Sequence, residues 1–76
     1  MSWVEIMLEN ILTSKDISRR ELARKTQIRP STINEMCNNT SKMIPLENIA
    51  SICVALEIEI SDLFKLHNDE TKKEEL

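Results

Sequence analysis

SRRELARKTQIRPSTINEMCNN, residues 18–39, is the stretch whose reading decides the fold. It divides into two short helices joined by a tight turn. Ser18 followed by Glu21 is a capping-box pattern, so the first of the two helices begins at Arg19. Leu22, Ala23 and Thr26 then face inward, and the small Ala23 lets the helices approach closely. Ile28 lies between them and plugs the turn. Pro30 suits the first turn of the second helix, where its missing N–H has no intrahelical partner to lose. Stepping about 100° per residue from Ser31 puts Ile33, Met36 and Cys37 on one arc. Ser31, Asn34, Glu35 and Asn38 fall on the opposite arc, and Thr32 sits on the flank.

A helix fixed to a core by one face, with small hydrogen-bonding side chains on the other, suits reading of base edges in a DNA groove. An ordinary amphipathic surface helix has a similar wheel, with its polar face simply solvated. The neighbouring residues shift the balance, because Arg19, Arg20, Arg24, Lys25 and Arg29 cluster around the unit.

The spacing of Leu22-Ala23, Ile28, Ile33 and Met36 resembles the helix-turn-helix of Cro/C1-type, phage-repressor-like regulators. The run IPLENIASICVALEIEISDLF, residues 44–64, resembles that family's fourth and fifth helices. The resemblance covers roughly Val4 to Leu66 and implies an all-α, lambda-repressor-like bundle of five helices. Three positions depart from the family's usual pattern. Gln27 stands where the turn usually has Gly, Arg19 where the second helix often starts with Gln, and Cys37 where Glu is frequent. The resemblance implies a left-handed backbone at Gln27, which costs a non-Gly residue about 1 kcal/mol.

Outward from this unit, Ser2 and Glu5 form a second capping-box pattern, which predicts a first helix from about Trp3 to Thr13. Val4, Met7, Leu8, Ile11 and Leu12 would make its apolar face, with Trp3 at the core edge or on a contact surface. A fourth helix should run from near Pro45 to Leu56, with Leu46, Ile49, Ala50, Cys53 and Leu56 as its buried stripe. Residues 57–60, EIEI, alternate like a strand but are too short to stand alone, so they read as a connection that packs Ile58. A short last helix should include Leu63 and Phe64. The domain is expected over residues 1–66, with the helix-turn-helix at about 19–38 and a frayed polar tail at 67–76.

Seventy-six residues make one domain. Two Pro, no Gly, one Trp and one Phe describe an aliphatic, helical core, and no run alternates long enough for a convincing strand. Such a core is small, since only about 60% of the unfolded surface is buried at this size, so dimerisation would help. The net charge of −3 is unusual for a DNA binder, but it is unevenly placed. From Lys15 to Lys42 seven basic residues face three acidic ones, while the flanks on both sides are acidic. Local charge matters most, because salt screens over about 8 Å.

Other chemistry finds little footing. Cys37 and Cys53 both fall on apolar faces and read as small hydrophobic fillers, with a disulfide or reactive thiol as the alternatives. His67 is the only His, in the expected tail, and supplies neither a clustered metal site nor a base for a nucleophile. No cofactor is implied. No apolar run approaches the roughly 18 residues of a membrane span, and no signal-peptide layout opens the chain, so a cytoplasmic protein is expected.

The expectation is a non-enzymatic transcriptional regulator, a repressor, that binds double-stranded DNA as a homodimer. Arg19, Arg29, Ser31, Thr32, Asn34, Glu35, Asn38 and Lys42 are the candidate DNA contacts. Ser31, Asn34 and Glu35 are best placed for base edges, where Asn can pair with adenine and Glu can accept from cytosine N4. Arg19, Asn38 and Lys42 are better placed for phosphates. The last helix near Leu63, Phe64 and Leu66 is the expected dimer surface. Two alternatives remain, the antitoxin of a toxin–antitoxin pair and a protein-interaction module that keeps the fold without binding DNA.

Overall fold

A computed structural model describes residues 1–68. Five helices run through it: α1 (Leu8–Lys15), α2 (Arg19–Thr26), α3 (Pro30–Cys37), α4 (Leu46–Leu56) and α5 (Ile60–Leu63). Two strands, β1 (Ser2–Ile6) and β2 (Phe64–Asn68), bracket them and pair antiparallel. The chain is therefore a helical domain closed by a small β-ribbon, and the expected all-α architecture is corrected at both ends.

The ribbon replaces about the first turn of the expected first helix. Ser2 faces Asn68, Val4 faces Leu66 and Ile6 faces Phe64. The segment SWVEI carries a capping-box pattern, but Trp, Val and Ile are also strand formers. A partner strand more than fifty residues away decides between the two, and nothing local reveals it. The alternation of strand side chains puts Val4, Ile6, Phe64 and Leu66 on one face and Trp3, Glu5, Lys65 and His67 on the other. On that second face Trp3 stacks on His67, with ring centroids 4.4 Å apart and planes 11° from parallel. His67 Nε2 lies 2.8 Å from Glu5 Oε1. Trp3 is thus half exposed on the ribbon and not at the core edge. His67 and Asn68 belong to β2 and not to a tail; the rest of the expected tail, residues 69–76, lies outside the described residues.

Helices α1, α2 and α4 each end on a left-handed residue, at Asp16, Gln27 and Glu57. That conformation turns the last backbone N–H groups back onto helix carbonyls, a termination usually given to Gly. In α4 the buried residues are Ile52, Cys53 and Leu56, with Ile49 packed partly against them. Leu46 and Ala50 are exposed, so the expected stripe is rotated toward Ile52. Ile58 packs against the core through the connection 57–59, as expected. Helix α5 starts from a reciprocal Glu59–Asp62 capping box and stops at Leu63; Phe64, expected inside it, opens β2.

Leu8, Leu12, Leu22, Ile33, Met36, Ile52, Leu56 and Leu63 are fully buried and form the centre of one core. Leu63 is fully covered within its own chain, so it is removed from the expected dimer surface. Cys37 and Cys53 are buried free thiols in that core, as fillers should be. Among the described residues no helix is long and apolar enough to cross a membrane.

Candidate nucleic-acid interface

Local chemistry builds the α2–turn–α3 unit. Ser18 Oγ accepts from the Glu21 N–H at 3.0 Å, which satisfies one of the free donors at the start of α2. At the other end Thr26 Oγ1 donates to the Leu22 carbonyl at 2.8 Å and accepts from the Ile28 N–H at 3.3 Å. Gln27 sits at φ 66° and ψ 20°, and its N–H returns to the Ala23 carbonyl at 2.8 Å. This is the left-handed turn that the family resemblance implies. Arg29 is extended, and Pro30 begins α3 with its fixed φ.

Buried Ile28 and Ala23 hold the two helices together, while Ile33, Met36 and Cys37 fix the inner face of α3. The rotation of α3 is set by this packing, so its outer face follows. Ser31, Asn34, Glu35 and Asn38 are all exposed, and Thr32 is half-buried on the flank. The C-terminus of α3 is tied as well. Asn39, left-handed at φ 60°, accepts from the Ile6 N–H through Oδ1 at 2.6 Å and donates from Nδ2 to the Ile6 carbonyl at 3.0 Å. Its amide thus occupies the outer edge of β1 as a neighbouring strand would, and couples the ribbon to α3.

The structure brings three of the expected site residues into direct contact. The Arg19 guanidinium donates from Nη1 to Asn34 Oδ1 at 3.1 Å and from Nη2 to Asn38 Oδ1 at 3.3 Å. Its Nε donates to Glu9 Oε1 on α1 at 3.1 Å. One side chain from α2 thus joins α1 to the outer face of α3. A shallow depression lined by Arg19, Arg20, Pro30 and Asn34 adjoins this contact. Arg29 lies exposed at the start of α3, beside Ser31. Lys42 stands apart on the loop between α3 and α4, also exposed.

Two residues of this arrangement escape sequence reasoning. Glu9 carries no signal, since only the folded chain sets it ten positions away against Arg19. Asn39 carries a faint one, because Asn tolerates the left-handed region after a helix better than most residues. Beneath the network the Cys37 thiol is pushed up to about 11, mainly by burial; Arg19 opposes the shift, and a hydrogen bond to Glu9 and its charge add to it. The thiol therefore stays protonated at neutral pH and offers no nucleophile. No group of three or more metal-ligating side chains comes together among the described residues.

Residues 7–69 match the family described as the Cro/C1-type HTH DNA-binding domain. No curated protein matches the chain.

Proposed function

The chain belongs to the Cro/C1-type HTH DNA-binding domain family, and from this premise we propose that it is a sequence-specific transcriptional repressor reading the major groove with α3. The observation that carries the reading is the division of α3. Its inner side chains, Ile33, Met36 and Cys37, are buried, while Ser31, Asn34, Glu35 and Asn38 share one exposed face beside Arg19. In this reading Ser31, Asn34 and Glu35 meet base edges. Arg19, Arg29, Thr32, Asn38 and Lys42 frame them, with the basic side chains on phosphates.

The repressor acts as a homodimer in this reading, because one α3 spans too few base pairs for useful specificity. The apolar surface for a second copy shifts from the last helix to the ribbon. There Val4 and Leu66 face each other across the strands, both more than half exposed.

Binding of the full chain to random duplex DNA across a salt series tests the reading. A DNA binder loses affinity steeply as salt rises, because phosphate contacts release counterions. A protein-interaction module shows no such slope. On sites selected from a random pool, Asn34→Ala should cost about 1–3 kcal/mol more than on random duplex. Equal losses on both would remove Asn34 from base reading.

A further inference from the structure

The hydrogen bonds around Arg19 fix more than position. A guanidinium carries five N–H donors and no acceptor. The amide atom that faces it must therefore be oxygen, for Asn34 and Asn38 alike. Both Oδ1 atoms are committed sideways to Arg19, at 3.1 and 3.3 Å. The two Nδ2 groups diverge from those oxygens and stay available as donors. Adenine recognition by Asn needs oxygen and nitrogen aimed together at one base edge, to accept from N6 and donate to N7. Guanine offers only acceptors in the major groove, N7 and O6. Each Oδ1 keeps a second lone pair, but an amide anchored by that oxygen to Arg19 is not free to turn both of its atoms onto one adenine edge, whereas its Nδ2 donor alone can meet either guanine acceptor.

The engagement depends on a residue remote from α3. Arg19 has several rotatable bonds and is held at its Nε by Glu9 Oε1, 3.1 Å away. Glu9 sits in the first turn of α1, half exposed, where its charge also suits the helix N-terminus. It is an acidic group beside a surface that meets phosphates, and it weakens general attraction to DNA.

We propose that Glu9 is a positioning residue for base selection: it fixes Arg19, which holds the amide oxygens of Asn34 and Asn38, so that the reading face presents donors and prefers guanine edges to adenine. This rests on the DNA-binding reading above. It assigns to Glu9 two effects of opposite sign, discrimination gained and general affinity lost.

Four full-length proteins test it: wild type, Glu9→Ala, Glu9→Gln and Asn34→Ala. Each is used to select sites from a random duplex pool, and each is titrated against random duplex at fixed salt. The wild type should select guanine at the position where Asn34→Ala abolishes preference. Glu9→Ala should bind random duplex more tightly and lose about tenfold in guanine-over-adenine preference. Glu9→Gln keeps an acceptor for Arg19 Nε but not the charge, so it should bind random duplex more tightly and retain the preference. A thermal midpoint for each variant confirms that the fold is intact. Adenine at the Asn34 position, or unchanged preference in Glu9→Ala, overturns the proposal while leaving DNA binding in place. Absence of salt-dependent binding by the wild type overturns the DNA reading and this proposal together.

Discussion

Among the described residues of a chain without glycine, four hold left-handed backbone: Asp16, Gln27, Asn39 and Glu57, at φ between 59° and 66°. Glycine at each would relieve the same steric clash, yet the four should not respond alike. For Gln27 the clash between Cβ and the carbonyl oxygen is worth about 1–2 kcal/mol. Against it stands the added freedom of an unfolded glycine, about 0.4–1 kcal/mol. Gln27 is exposed, and its side chain makes no hydrogen bond among the described residues, so nothing else is lost. Gln27→Gly should therefore stabilise by up to about 1 kcal/mol, a rise in Tm of about 4–8 °C for a domain this size. Asn39→Gly should do the opposite. Asn tolerates the left-handed region, so little strain is relieved. Two hydrogen bonds to Ile6 disappear, each worth about 0.5–1.5 kcal/mol. With the freedom of an unfolded glycine added, about 0.4–1 kcal/mol, a net loss of about 1.5–4 kcal/mol follows. Urea midpoints at equal protein concentration measure both, with unchanged slope as the check that the same transition is compared. A lower midpoint for Gln27→Gly, or a higher one for Asn39→Gly, would refute the reasoning.

Other outcomes follow from single contacts. Leu22→Ala, at a fully buried site between α2 and the core, should cost about 2–5 kcal/mol in the same denaturation. Ser18→Ala removes the acceptor for the Glu21 N–H and should cost about 1 kcal/mol; no change in midpoint would mean that water replaces it without loss. The Cys37 thiol, pushed up to about 11 by burial, ionises more readily in the unfolded chain, whose thiols have a pKa near 9. Between those values the unfolded state binds fewer protons, so stability should fall as pH rises, by at most about 1.4 kcal/mol per pH unit for one thiol. Cys37→Ala should flatten that fall, measured from pH 8 to 11, and an equally steep fall in the variant would assign it elsewhere.

The helix-turn-helix was legible because its signals are local. The Ser18 cap, the apolar spacing of α2 and α3 and Pro30 at a helix start all act within a few residues. The rotation of α3 followed from one wheel, since burial of Ile33, Met36 and Cys37 leaves a single outer face. The ends of the domain were not legible in this way. Ser2 and Glu5 look like a cap until Phe64–Asn68 is known to lie alongside, and the pairing of Trp3 with His67 spans nearly the whole described chain. The α4 stripe failed for a related reason. Its sequence is apolar almost all round, so periodicity alone cannot choose between Ala50 and Ile52, and packing against α2 and α5 decides. The contacts of the interface divide similarly. The exposed face of α3 could be named from the wheel, but the direction of each amide on it required a guanidinium from another helix.

That last dependence bears on how an acidic protein can belong to a DNA-binding family. A net charge of −3 would oppose approach to a polyanion if it were uniform. The structure gathers Arg19, Arg20, Arg24, Lys25 and Arg29 on and around α2, while Glu47, Glu57, Glu59 and Asp62 lie on α4 and beyond. Over a Debye length of about 8 Å the basic side acts nearly alone. The acidic flanks then penalise orientations that turn α4 toward the phosphates, and they lower affinity for DNA at large. Glu9 and Glu35 are different, because they stand within the basic side itself. There each weakens phosphate attraction at short range; Glu9 is offset by its contact with Arg19, and under the proposed function Glu35 would be offset by a base that can donate. Acidic groups placed in this way lower the background more than the cognate complex, which is a route to selectivity that added lysines would not provide.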